Sequence, residues 1–222
     1  MTTADRFDQR KRIAAEAAAQ LVEDGMRLAL GTGSTVAHLL PAIAGRGLRD
    51  LRCVATSPAT AEQARALGLH VEDFDSVHAL AELDLAIDGA DQIAPDWWAV
   101  KGGGGAHTRE KIVARASERF VVIVSSDKVV DALRPPVPLE LLHFGLPATL
   151  RALGEADIRA GAPPSPDGGV IADFHGAFDD AAALAARLDA IPGVVEHGLF
   201  PADIVSDVVI ARGEAVEHRR IG

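Results

Sequence analysis

The segment from Lys101 to Lys111 carries the pattern best suited to chemistry in this sequence. Four glycines follow Lys101, and Glu110 stands in the first turn of a predicted helix. Because consecutive glycines cost chain entropy on folding, we expect a ligand to approach this backbone closely. The lysine suits a developing oxyanion and the glutamate suits a general base. The alternative is a solvated lysine and a first-turn carboxylate favoured by the helix dipole.

A second segment, Gly31-Thr32-Gly33-Ser34-Thr35, combines glycines with three hydroxyls ahead of a predicted helix. Close backbone approach, hydroxyls and free helical N–H groups together suit a phosphate monoester. The spacing is not that of a nucleotide P-loop, and Val36 stands at the third glycine position of a dinucleotide fingerprint. The alternative is a tight turn in which Ser or Thr caps the helix.

Two further segments place charges after predicted strands. Asp88-Gly89-Ala90-Asp91 holds two carboxylates three residues apart. This pair suits proton transfer among sugar hydroxyls, and equally metal binding or turn capping. Ser125-Ser126-Asp127-Lys128 is typical of a capped helix start with an exposed lysine, unless the other segments bring an anion nearby.

The elements that must position these segments alternate along the first 130 residues. We predict strands at 27–31, 51–56, 70–74, 83–87 and 120–124, and helices at 5–24, 36–43, 57–67 and 108–117, the second interrupted or shortened by Pro41. This order favours an α/β fold with an open, largely parallel, Rossmann-like sheet and helices on both faces. All four segments follow strands, at the edge where such sheets usually bind ligands.

A smaller α+β domain is predicted after the proline-rich stretch 134–138. Its predicted elements are strand 139–143, helix 147–153, a turn at 163–169 between two extended segments, helix 179–191 and strand 194–199. We therefore predict a catalytic domain of residues 1–130, to which 201–222 returns as a strand, and a small domain of residues 131–200.

Charge excludes one class of partner. The 222 residues include 22 Lys+Arg and 32 Asp+Glu, a net charge of −10. A chain this acidic repels polyanions, so we expect no binding to nucleic acid or to an anionic membrane surface. Any anion must be bound locally, and we expect a small-molecule substrate.

The single cysteine, Cys53, excludes an internal disulfide framework, and the eight histidines show no close metal-ligand spacing. We therefore expect no metal site and a reducing compartment. The polar stretch 1–12 lacks the apolar core of an export signal, and no apolar run approaches the length of a membrane span. These features predict a cytoplasmic location.

In order along the chain, Gly-Thr-Gly-Ser-Thr (31–35), Asp-Gly-Ala-Asp (88–91), Lys-Gly-Gly-Gly (101–104) with Thr-Arg-Glu-Lys (108–111), and Ser-Asp-Lys (126–128) resemble ribose-5-phosphate isomerase, type A. The likeness extends from the first helix to about Phe200. It implies an aldose-ketose isomerase that interconverts D-ribose 5-phosphate and D-ribulose 5-phosphate through an enediolate. It further implies the non-oxidative pentose phosphate pathway, no metal or organic cofactor, and a homo-oligomer, with a dimer favoured.

The resemblance also implies roles for individual residues. Glu110 is the base that moves the proton, Lys101 faces the enediolate oxygen, and Asp88 and Asp91 orient hydroxyls and assist ring opening. Substrate contacts are implied for Thr32, Gly33, Ser34, Thr35, Asp88, Gly89, Ala90, Asp91, Lys101, Gly102, Gly103, Gly104 and Lys128, of which Ser34, Thr35 and Lys128 hold the phosphate. Lys11 aligns with a position that adds a cation there, or is a solvated helical lysine.

The sequence departs from the family pattern at Gln92, where glutamate is usual, and at Gly105 and His107, which replace commoner apolar or small residues. Three other functions remain alternatives: a noncatalytic sugar-phosphate sensor, a deaminating isomerase of amino-sugar phosphates, and a CoA transferase that uses glutamate as nucleophile. The sensor would be built on the same type of sheet, and the two enzymes would have a related fold.

Overall fold

The structure, a computed structural model, describes residues 3–221. The predicted domain boundaries at Met1 and Gly222 lie outside this range, as does Thr2. The helices are α1 (Thr3–Ala19), α2 (Val36–Ala44), α3 (Pro58–Ala66), α4 (His107–Arg115), α5 (Leu146–Leu153) and α6 (Ala181–Asp189). The strands are β1 (Arg27–Leu30), β2 (Arg52–Ala55), β3 (Leu85–Gly89), β4 (Gln92–Ile93), β5 (Ala99–Val100), β6 (Phe120–Ser125), β7 (Val137–Leu141), β8 (Ala156–Ile158), β9 (Val170–Phe174), β10 (Val194–His197), β11 (Leu199–Phe200), β12 (Asp207–Arg212) and β13 (Ala215–Arg220). Short 3₁₀ helices occupy Ser126–Lys128 and Ala202–Ile204.

Contacts divide the chain into two units. Unit 1 comprises Met1–Gly89, Ile112–Lys128 and Asp203–Gly222, and unit 2 comprises Ala90–Lys111 and Val129–Ala202. Residues 90–111, which contain β4, β5 and the start of α4, therefore group with unit 2. The division into domains 1–130 with 201–222, and 131–200, stays a prediction.

Unit 1 is built on a six-stranded sheet in the order β13-β12-β6-β3-β1-β2. Neighbouring strands are parallel from β12 to β2, and β13 adds one antiparallel edge. All six residues of β6 are buried, as expected for an inner strand of a covered parallel sheet. The predicted α/β class with a largely parallel sheet is confirmed.

Three local predictions in unit 1 differ from the structure. The expected strand at 70–74 contributes only an isolated bridge between Cys53 and Val71. Helix α1 ends at Ala19, well before the predicted residue 24. Helix α2 runs through Pro41 without interruption, because buried residues on both sides of the proline, such as Leu39 and Ile43, secure it by packing.

Unit 2 contains two antiparallel sheets, one in the order β10-β7-β9-β8 and one in the order β11-β5-β4. Leu153 of α5 and Leu184 of α6 share a hydrophobic core with Phe174 of β9 in the larger sheet. The predicted strand 194–199 is two strands separated by Gly198, whose N–H donates to the Pro138 carbonyl at 2.7 Å. The predicted smaller α+β component is confirmed. Within residues 3–221, every helix is too short or too polar to span a membrane.

Candidate active site

One edge of the unit 1 sheet carries residues 31–35, 88–89 and 125–128, because β1, β3 and β6 are parallel neighbours and these residues lie at or directly after their carboxyl ends. Asp88, near the end of β3, is 3% exposed. Its Oδ1 accepts hydrogen bonds from the Thr32 N–H at 3.1 Å and the Gly89 N–H at 2.7 Å. A Cβ at Gly31 would overlap the Asp88 carboxylate. Only glycine at position 31 allows this close approach.

The polar groups of the Gly31–Thr35 turn are divided between the protein and the surface. The Thr32 hydroxyl lies 2.7 Å from the Thr56 hydroxyl, whereas Gly33 and Ser34 are exposed. Thr35 precedes α2 but its side chain makes no capping hydrogen bond. Capping by Thr35 therefore does not account for the turn, and its residue types remain suited to an anion.

Lys128 ends the 3₁₀ helix that directly follows β6. Its side chain is half-buried. Lys128 lies shortly after β6, and Asp88 lies near the end of β3. Because β6 and β3 are paired in parallel, both residues are at the same edge of the unit 1 sheet. The structure thus supplies a cation at the edge where the Gly31–Thr35 turn lies.

The glycine run of unit 2 lies beside a buried ion pair. Lys101 and Glu110 are 2% and 3% exposed, and the Lys101 Nζ lies 3.1 Å from the Glu110 Oε2. The Lys101 ammonium also lies 5.3 Å from the centroid of the Phe200 ring. Lys101 is therefore not a solvated side chain. Two opposite charges held in a water-excluded region are the groups that proton transfer through an oxyanion requires.

Asp91, the residue before β4, contacts the glycine run. Its Oδ2 accepts a hydrogen bond from the Gly103 N–H at 2.8 Å, and its own N–H donates to the Val100 carbonyl at 2.8 Å. Within the Asp88–Asp91 segment, the two carboxylates thus have different partners. Asp88 is held by the unit 1 turn, and Asp91 by the unit 2 glycine run.

Gly102 adopts a φ of +105°, and a Cβ there would lie 2.7 Å from Nδ1 of His107. His107 is fully buried, and its Nε2 lies 3.4 Å from the Glu196 carbonyl, while Nδ1 has no hydrogen-bond partner within residues 3–221. Burial lowers the pKa of His107 to about 3, so the ring is neutral at neutral pH. The glycine and the histidine are packed against one another.

Sequence reasoning missed the side chains that hold the start of α4. Thr108 donates to the buried Glu140, and Arg109 forms a bidentate pair with Asp167 at 2.7 and 2.8 Å. Lys111 donates to the Glu196 carboxylate at 2.6 Å and to the His197 carbonyl at 2.8 Å. One signal was present: a charged residue, Glu140, inside an apolar strand. These contacts fix the residues on both sides of Glu110.

The departure at Gln92 has a local explanation. Its Nε2 donates to the Arg134 carbonyl and its Oε1 accepts from the Arg134 N–H, both at 2.8 Å. A glutamate could accept but not donate, so it would satisfy only one of these backbone groups. Gln92 therefore closes a backbone contact within unit 2.

In the part of the chain that the structure describes, the ligand atoms of Asp189, Glu196 and His197 lie within 4.8 Å of one another. Nδ1 of His197 accepts from the Leu199 N–H at 3.2 Å, so the neutral ring carries its proton on Nε2, which lies 3.2 Å from Asp189 Oδ1. Lys111 occupies the Glu196 carboxylate. A metal would have to displace a proton and an ammonium, so these residues form a hydrogen-bond network.

Comparison with known proteins places this geometry in context. A family model described as "Ribose 5-phosphate isomerase A (phosphoriboisomerase A)" matches residues 52–215. Ribose-5-phosphate isomerase A of Caulobacter vibrioides is 44% identical over 223 residues, covering 94% of this chain and 96% of the relative. The solved structure of ribose 5-phosphate isomerase A from Methanocaldococcus jannaschii has a TM-score of 0.88 and 32% identity, with 96% and 99% coverage. A D-ribose-5-phosphate isomerase in complex with phospho-erythronic acid has a TM-score of 0.88 and 31% identity, with 97% and 99% coverage.

Proposed function

The chain belongs to the ribose 5-phosphate isomerase A family, and from this premise we propose that it interconverts D-ribose 5-phosphate and D-ribulose 5-phosphate. The observation that carries the proposal is the buried Lys101–Glu110 pair beside the glycine run. A carboxylate held in this way is a base that can move a proton between adjacent carbons, and the ammonium is the counter-charge for the oxygen that becomes negative.

The reaction begins on the open-chain aldose. Glu110 removes the proton from C2, the C2–H electrons form the C1–C2 double bond, and the carbonyl electrons move onto O1. The product is an enediolate whose negative oxygen faces Lys101. Water exclusion around this pair strengthens the electrostatic stabilisation of that oxygen.

The second half returns the proton to the neighbouring carbon. The O2 hydroxyl proton passes to O1, the O2 electrons form the C2 carbonyl, and Glu110 delivers its proton to C1. Aldose and ketose thus have the same atoms and electrons, and Glu110 ends in its starting state. One carboxylate therefore serves as base and then as acid.

The remaining roles are assigned by side-chain chemistry. Ser34, Thr35 and Lys128 hold the phosphate through hydroxyls, helical N–H groups and one ammonium. Asp88 and Asp91 orient sugar hydroxyls and assist ring opening as hydrogen-bond acceptors. Substrate contacts also include the backbone of the remaining residues of the three segments: Thr32, Gly33, Gly89, Ala90, Gly102, Gly103 and Gly104.

We also propose that the protein works as a homodimer in the cytoplasm, within the pentose phosphate pathway. The family resemblance supports the assembly and the pathway. A reducing compartment is consistent with Cys53, which is fully buried and whose thiol pKa is raised to about 11 by burial. Light scattering coupled to size-exclusion chromatography measures the assembly, and a mass other than twice that of the chain would contradict the dimer.

The test is product analysis in deuterated water. The protein is incubated with D-ribose 5-phosphate, with and without a chelator, and ribulose 5-phosphate and deuterium at C1 and C2 are measured by NMR. We expect turnover in both conditions, and a decrease on the order of 10³ in Glu110→Gln. Glu217→Gln is the matched control, because it makes the same change at a carboxylate that belongs to none of the predicted site segments. Glu217 lies on β13 and pairs with Arg212 and Arg219.

Absence of conversion by the unmodified protein would overturn the proposed function, and full activity of Glu110→Gln would overturn the role assigned to Glu110. The same assay separates the alternatives. A sensor binds without turnover, a deaminating isomerase releases ammonia from an amino-sugar phosphate, and a CoA transferase requires a thioester.

A further inference from the structure

Arg159, which follows β8, holds the backbone of the glycine run. Its Nη1 donates to the carbonyls of Gly102 and Gly103, each at 3.1 Å. Its Nε and Nη2 donate to the two carboxylate oxygens of Asp173 at 2.8 and 2.6 Å. One planar guanidinium therefore links a carboxylate on β9 to two successive carbonyls of the run.

This link helps to fix where the N–H groups of the run point, together with a backbone hydrogen bond from the Gly105 N–H to the Gly102 carbonyl at 3.0 Å. A trans peptide is planar, so its N–H points away from its carbonyl. With the Gly102 carbonyl turned toward Arg159, the Gly103 N–H must point away, and it donates to Asp91 Oδ2 at 2.8 Å. With the Gly103 carbonyl held in the same way, the direction of the Gly104 N–H is set as well.

Glycines need such an external constraint more than other residues do. Gly103 and Gly104 are exposed, and glycine has access to more backbone conformations than any other residue. An amide that binds a ligand oxygen gains most when its direction is set beforehand, because no ordering cost is then incurred on binding. The guanidinium provides this ordering in advance.

We propose that Arg159, held by Asp173, is a positioning residue that orients the Gly104 N–H and the Asp91 carboxylate toward a sugar hydroxyl of the substrate. This proposal rests on the proposed function, and it assigns Arg159 no contact with the reacting atoms. Lysine cannot replace it, because a single ammonium lacks the planar set of donors that engages Asp173 and both carbonyls.

The first measurement compares two ligands in Arg159→Gln by calorimetry. Phospho-erythronic acid carries a phosphate and a hydroxylated chain, whereas inorganic phosphate carries only the group assigned to Ser34, Thr35 and Lys128. We expect the Kd of phospho-erythronic acid to rise about tenfold and that of phosphate to change less than about twofold. Partial unfolding would lower the binding stoichiometry of both ligands and leave the ratio of their Kd values unchanged.

The second measurement is amide hydrogen exchange without ligand. Exchange of the Gly103 amide, which donates to Asp91, is expected to accelerate in Arg159→Gln and in Arg159→Lys, and less in Asp173→Asn, which keeps the guanidinium. Asp173→Asn also keeps the test decisive if the arginine variants do not fold. The matched control is Arg119→Gln, which removes the bidentate Arg119–Asp207 pair from the other end of β6 in unit 1.

The proposal requires both results. Faster exchange with an unchanged ratio of Kd values means that the link is only a structural tie, and a changed ratio with unchanged exchange means that Arg159 acts by charge alone; either outcome overturns it. If the unmodified protein neither turns over substrate nor binds phospho-erythronic acid, the proposed function fails. The exchange measurement then still decides whether Arg159 orders the run.

Discussion

The Gly31–Thr35 turn of unit 1 and the Lys101–Gly105 run of unit 2 both follow short strands and both use glycine for close approach. They differ in the side chains beside the glycines, since Gly33 of the turn and Gly103 and Gly104 of the run are all exposed. Ser34 is exposed, whereas Lys101 and Glu110 are almost fully buried. An exposed turn of amides and hydroxyls suits a group whose charge stays constant, such as a phosphate. A buried ion pair suits a charge that develops during reaction.

The largest effect is expected for substitutions in the buried Lys101–Glu110 pair. Glu110→Gln should lower kcat by on the order of 10³ and leave KM within about threefold.

Lys101→Met should destabilise the fold by about 3–5 kcal/mol, because it leaves a buried carboxylate without its ammonium. The double variant should regain most of that stability without activity. Urea denaturation measures the stability of each variant, and steady-state kinetics measure its activity. A double variant no more stable than Lys101→Met would contradict the pairing.

A smaller effect is expected when the unit 1 turn is made too large. Gly31→Ala should lower kcat/KM by on the order of 10², because the added Cβ displaces the Asp88 carboxylate. Gly213→Ala is the control, since its Cβ meets nothing within 4 Å and only its positive φ is strained. Equal kinetics in the two variants would show that the Gly31–Asp88 contact does not matter for activity.

A tenfold effect is expected for the cation at the same edge. Lys128→Ala should raise KM about tenfold and change kcat by less than about threefold, because the phosphate is bound in the ground state and the transition state alike. Arg12→Ala also removes one positive charge from unit 1, from an exposed ion pair with Glu16. Equal changes in kcat and KM, or an equal effect of Arg12→Ala, would refute this division of roles.

The last prediction has the smallest effect on activity and concerns folding stability. Two buried histidines of unit 2 should make the fold less stable at acid pH. Burial lowers the pKa of His107 to about 3 and of His197 to about 4, from 6.5. The unfolded chain therefore binds more protons below pH 6.5, and stability present above that pH is lost as the pH falls. Each histidine should cost about 2 kcal/mol of unfolding free energy between pH 7.5 and pH 5. Urea denaturation checks this: His107→Gln should reduce the loss, and exposed His175→Gln should not.

Much of the fold and the candidate site could be predicted because the relevant signals are local. Parallel inner strands such as Phe120–Ser125 are continuous apolar runs, and the glycine segments mark turns at their ends. The strand expected at 70–74 is absent because a short segment becomes a strand only where a neighbouring strand pairs along it, and here a single bridge forms, between Val71 and Cys53. Pro41 was given too much weight because packing outweighs one lost hydrogen bond.

The types of reactive groups and their order are evident from the sequence alone: hydroxyls and amides in one segment, carboxylates in another, and a lysine and a glutamate on either side of a glycine run. These follow from residue identity and spacing. The folded chain is needed to see that Lys101 is buried against Glu110 and that Arg159 holds the carbonyls of the run. Burial and long-range pairing depend on residues far apart in the chain, so neither can be read from a local pattern.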